Sequence, residues 1–91
     1  MGILMVKTAT FNGVKYDVDL CGSIDGSCDS PLGGKPNMRI CTNLETRTGL
    51  ETVIHESLHA SFWAKTDEKV EQTARDIARL LWRLGYRLKK I

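Results

Sequence analysis

Three observations predict an α+β fold: a three-stranded sheet, made of an N-terminal hairpin plus one edge strand, packed on two helices. Two β-rich runs flank an Asn-Gly pair near the start, a stretch crowded with Gly, Ser, Asp and Pro leads to one more short apolar run, and the second half changes to a helical period. The chain has 91 residues, 42% of them hydrophobic and 26% charged. That is enough for a single modest core and too little for a second domain, so the whole of 1–91 is read as one unit.

The elements follow in order. Ile3 to Thr10 and Val14 to Leu20 are rich in β-formers, and the Phe11-Asn12-Gly13 between them is a strong hairpin signal. Val14, Tyr16, Val18 and Leu20 alternate with Lys15, Asp17 and Asp19, giving one buried and one wet face. Cys21 to Asn37 has turn chemistry without periodicity and reads as a long surface loop. Met38 to Thr42 is the third strand, placed at a sheet edge. Asn43 to Thr48 turns into a helix from about Gly49 to Ala64. Thr66 or Asp67 then caps a second helix that persists to about Leu84 and stops at Gly85. On that helix Val70, Ala74, Ile77, Leu81, Leu84 and Leu88 fall within about 40° of one line and form the expected inner face.

Charge and cysteine content bound the partners. The formal net charge is +2, unevenly spread: residues 1–45 hold four Lys/Arg against five Asp/Glu, and residues 46–91 hold nine against six. Much of the C-terminal excess is the stripe Arg75, Arg79, Arg83 and Arg87, read as a solvated helix face. No aromatic platform accompanies it, so nucleic acid is not expected as a partner. No apolar run approaches the ~18–20 residues of a membrane span, and the first residues carry neither a basic leader nor a cleavage site. Three cysteines, Cys21, Cys28 and Cys41, are an odd number without zinc-knuckle spacing. A cytoplasmic monomer with reduced thiols and no membrane partner is the expectation.

One motif carries chemistry. His55-Glu56-Ser57-Leu58-His59 is HExxH, and its histidines are the only two in the chain. For this composition, the pattern arises by chance on the order of once in a thousand. On a helix, residues four apart share a face, so both imidazoles can reach one Zn²⁺ at ~2.0–2.1 Å. Glu56, about 100° round, can then act as acid/base on an activated water.

A catalytic zinc needs a third protein ligand. Phe62 and Lys65 occupy the positions three and six after His59, which excludes the metzincin extension. The candidates are therefore the acidic residues of the second helix: Asp67, Glu68, Glu71 and Asp76. Asp76 projects away and Asp67 is assigned to capping. Glu71, one turn inside the helix, is the expected ligand, with Glu68 second, and small Ala74 and Ala78 would let the helices approach.

HExxH on one helix with a glutamate on the next resembles a gluzincin reduced to its metal-binding core. The run Glu71-Gln72-Thr73-Ala74-Arg75-Asp76-Ile77-Ala78-Arg79-Leu80-Leu81 is similar to the glutamate-helix signature of bacterial metallopeptidases that cleave phage-type repressors. The stretch from Thr52-Val53-Ile54-His55 to Leu81-Trp82-Arg83-Leu84-Gly85-Tyr86 resembles small phage-encoded metallopeptidase-like proteins, over about residues 38–88. The resemblance implies a zincin-like fold, one Zn²⁺ held by His55, His59 and Glu71, Glu56 as catalytic acid/base, a peptide or protein substrate, and host cytoplasm as the setting if phage-encoded. Larger gluzincins add an oxyanion-stabilising His or Tyr. Here only Tyr16 and Tyr86 are available, and neither is placed by a motif.

Two functions are thus expected as alternatives. A zinc peptidase would take an extended peptide along the edge of the Met38 to Thr42 strand. A closed four-ligand site, completed by a cysteine, would instead make the metal a staple in a protein-interaction module.

Overall fold

The computed structural model describes residues 6–20 and 26–88. Six elements follow in order: β1 (Thr8–Phe11), β2 (Val14–Asp19), β3 (Gly26–Cys28), β4 (Asn37–Ile40), α1 (Arg47–Ser61) and α2 (Asp67–Arg83). The class is α+β with two helices, as the sequence predicts. The described part of the first predicted strand begins pairing at Thr8, and its portion from Ile3 to Met5 lies outside the described residues.

The hairpin forms where expected. Asn12 and Gly13 take positive φ values of 51° and 77°, the backbone that a tight two-residue connection requires and that Asn-Gly tolerates best. Phe11 pairs with Val14 and Thr8 with Asp17.

Among the described residues the sheet has four strands, not three, in the order β1-β2-β4-β3. β2 pairs parallel with β4, Val18 opposite Met38, and β3 pairs antiparallel with β4, Cys28 opposite Met38. The strand expected at the edge is therefore interior, and among the described strands the edge on that side is β3, inside the segment expected to be loop. Gly26-Ser27-Cys28 has no alternation and little β-propensity. It is strand because β4 offers it an open ladder, a tertiary cause that local sequence does not carry.

Helix α1 is the central layer. It packs on the sheet through β1, β3 and β4 and on α2 with its other side, whereas α2 packs on α1 and has no strand as a neighbour among the described elements. The expected sheet resting on both helices is thus a sheet resting on one. The core between sheet and α1 is Tyr16, Met38, Ile40 and Ala60, flanked by Phe11, Val14, Leu20, Leu44 and Val53. On α2 the buried residues are Val70, Ala74 and Ala78, while Ile77 and Leu84 of the expected inner face are 39% and 65% exposed. Close helix approach selects small side chains at the contact, which rotates the buried line toward the alanines.

Capping fixes the helix ends. The Thr46 hydroxyl accepts from the Gly49 N–H at 3.0 Å, and the Thr66 hydroxyl accepts from the Lys69 N–H at 3.3 Å. The Asn12 side-chain amide donates to the Ser61 carbonyl, tying the hairpin turn to the end of α1.

Cys28 is a free thiol, but Cys41, buried beyond the end of β4, is disulfide-bonded. Cys28 thus meets the expectation of reduced thiols and Cys41 corrects it. A disulfide depends on spatial proximity that cysteine spacing does not reveal, and it belongs to oxidising surroundings. The cysteine content therefore gives no support to a reducing cytosol. No helix among the described residues is long and apolar enough to cross a membrane.

Candidate metal centre

The HExxH segment lies in the C-terminal half of α1, where the helix passes between the sheet and α2. His55 and His59 project from one face with their rings 4.7 Å apart between centroids, and their Nε2 atoms stand 3.1 Å from each other. The two nitrogens are within hydrogen-bond distance, close enough for one proton, or one metal ion, to be shared between them. The ring of Trp63, one turn beyond His59, stands 6.4 Å from it in an edge-to-face arrangement. His59 is held below its ordinary pKa by burial first and by His55 second, an effect partly offset by Asp67. The net effect favours the neutral form, which is the one that binds metals.

Glu56 lines the same cleft and is 6% exposed. Burial, and secondarily the charge of Asp67, raises its carboxyl from 4.5 to about 7. A carboxylate poised near neutrality can both take and return a proton.

These residues line a cleft of about 430 Å³, walled by Ser27 and Cys28 of β3 on one side and by Asp67 and Glu71 of α2 on the other. Glu71, the expected third ligand, is therefore in the cleft, but its Oε1 accepts from Arg75 Nη2 at 2.9 Å. Glu68 does not line it, and Asp76 accepts from the Gln72 amide at 3.0 Å. Asp67 departs from its expected duty. Thr66 is the cap, which leaves Asp67 in the first turn with Oδ1 3.3 Å from His59 Nε2.

Among the described residues no three His, Cys, Asp or Glu side chains are closed around a common point as a ready-made metal group. The closed part is the histidine pair, with two carboxylates beside it. Nitrogen and oxygen donors of this kind suit Zn²⁺, and the residues fit such an ion to that extent.

Neither tyrosine serves the site. Tyr16 is fully buried in the core, its hydroxyl 3.5 Å from the Asp29 carbonyl, and Tyr86 is exposed near Trp82 and Arg87. Sequence reasoning missed Trp63, whose spacing of four from His59 was a usable signal. It also missed β3, for which no local signal exists. No protein-family model, curated protein or solved structure matches this chain. The likeness to gluzincins rests on the residues quoted above.

Proposed function

We propose that the chain is a zinc-dependent peptidase. The observation that carries this is the convergence of His55 and His59 Nε2 at 3.1 Å beside a buried Glu56 whose carboxyl is raised to about 7. His55, His59 and one of the two α2 carboxylates in the cleft, Asp67 or Glu71, would hold one Zn²⁺. When bound, that ion supplies a Lewis acid that polarises the scissile carbonyl and acidifies a water.

The chain's own residues do the rest. β3 is the outer strand of the sheet and lines the cleft, so an extended peptide can add its backbone there, shifting the docking edge from β4 to β3. Trp63, 44% exposed at the cleft mouth, offers an aromatic surface to an apolar side chain of that peptide. Glu56 takes the proton of the attacking water and delivers it to the departing amine.

A second reading, a zinc-stapled interaction module closed by Cys28, is favoured by the position of that thiol in the cleft wall. Its pKa, raised to about 11 mainly by burial, works against thiolate ligation. Metal analysis followed by exposure to a mixed peptide library tests both readings. The peptidase reading expects stoichiometric zinc and cleavage in the native protein, with zinc retained and cleavage abolished in Glu56→Gln. Undiminished peptidase activity in that variant sinks the assignment. Zinc without cleavage in the native protein selects the module.

A further inference from the structure

We propose that Asp67, in place of Glu71, supplies the carboxylate that shares the metal with His55 and His59, an inference that rests on the zinc reading above. His59 Nε2 stands 3.1 Å from His55 Nε2 and 3.3 Å from Asp67 Oδ1. Two donors bound to one tetrahedral Zn²⁺ at ~2.0–2.1 Å are themselves about 3.3–3.4 Å apart. Both separations are close to such an edge, and both meet at His59 Nε2.

The nitrogen involved distinguishes a ligand from a supporting group. A carboxylate that merely orients a metal-binding imidazole bonds the ring nitrogen that the metal does not use. Asp67 addresses the same Nε2 that faces His55, so its place is beside the ion. Thr66 relieves Asp67 of capping, and the Asp67 side chain is 90% exposed, so the rotation that completes the third bond meets little packing. Glu71 lies one turn further along α2 and is engaged by Arg75 at 2.9 Å. Binding a metal through that oxygen would require it to give up that partner.

Zinc titration of the full chain against a chromophoric chelator tests this, alongside Co²⁺ absorption spectra of the same proteins. The native chain is expected to bind one ion. Asp67→Asn should weaken affinity by at least about a hundredfold, more than is typical for loss of a supporting contact, while Glu71→Gln stays within about threefold. Asp67→His, which restores a donor, should recover zinc binding and a tetrahedral Co²⁺ spectrum. The inference is overturned, with the zinc site intact, if Glu71→Gln loses the metal as severely as Asp67→Asn or more so. It is also overturned if Asp67→His fails to recover binding while the metal-free variants melt like the native chain. A native chain that binds no zinc overturns it together with the reading beneath it.

Discussion

Gly49 lies so close beneath Asn43 that a Cβ built on it would stand 2.1 Å from the Asn43 carbonyl oxygen and 2.8 Å from the Leu44 Cα. The turn before α1 is folded onto the first helical turn. The Asn43 carbonyl accepts from both the Thr46 N–H and the Thr46 hydroxyl, and that hydroxyl in turn accepts from the Gly49 N–H. Glycine in a helix ordinarily costs about 1 kcal/mol relative to alanine. Here the obstacle is backbone, which cannot swing aside. Gly49→Ala is expected to destabilise by about 2 kcal/mol or more, measured by urea unfolding. An unchanged or raised midpoint would show that the turn can lift off the helix freely.

The metal-free protein should lose stability as pH rises through the weakly acidic range. The folded-state Glu56 carboxyl titrates near 7, above its ordinary 4.5, because burial first and Asp67 second oppose its charge. A group whose folded pKa is raised favours the folded state fully below the unfolded value, and that advantage disappears as pH climbs past the folded value. Between about pH 4.5 and 7 the loss is expected to be on the order of 3 kcal/mol or less. Thermal melts in excess chelator should show this slope for the native chain and a flatter one for Glu56→Gln. Parallel curves would remove Glu56 as its source.

Cys28 should be a sluggish thiol. Burial raises it from 9.0 to about 11, with the charge of Glu56 adding to the effect and a hydrogen bond from Tyr16 opposing it. Only the thiolate reacts, so alkylation at pH 8 is expected to run roughly a hundredfold slower than for an unperturbed cysteine. Cys41, being disulfide-bonded, should resist until a reductant is added. Timed iodoacetamide labelling read by mass spectrometry checks both. Labelling of Cys28 at the rate of a free peptide would mean that the cleft wall does not bury it.

The helix contact makes an asymmetric prediction on α2. Ala78 is fully buried, whereas its neighbour Ile77 is 39% exposed. Ala78→Leu should force α1 and α2 apart and cost about 1–3 kcal/mol, while Ile77→Ala should cost under about 1 kcal/mol. Comparing the two chemical denaturation midpoints decides it, and the reverse order would restore the face that hydrophobic periodicity suggests.

That reversal shows which features were legible in the sequence. The hairpin was, because Asn12-Gly13 specifies a backbone found in few other settings, and so was Thr66 as a possible cap. The HExxH pair was legible because helical spacing alone brings its nitrogens together. The inner face of α2 was legible only in its first half, at Val70 and Ala74; beyond them Ala78 is buried in place of Ile77, because α2 packs on a single helix where alanine fits better than isoleucine. Asp67 was misassigned over a one-residue ambiguity between Thr66 and Asp67 as cap, enough to move a carboxylate from the helix end to the histidines. The fourth strand and the Cys41 disulfide depend on proximity between distant segments, which no local window encodes.

β3 is three residues long and, among the described residues, is held by a ladder on one side only. Its release breaks few backbone bonds, at the cost of its packing on α1, and leaves the packing of α1 on α2 untouched. The rim of the cleft can consequently open in a local fluctuation far smaller than global unfolding. Amide exchange would register this as weak protection of β3 beside strong protection of Tyr16. Access to the histidines would then be governed by how often that short strand lets go, which separates the rate at which a bulky polypeptide enters from the rigidity of the ligands it meets.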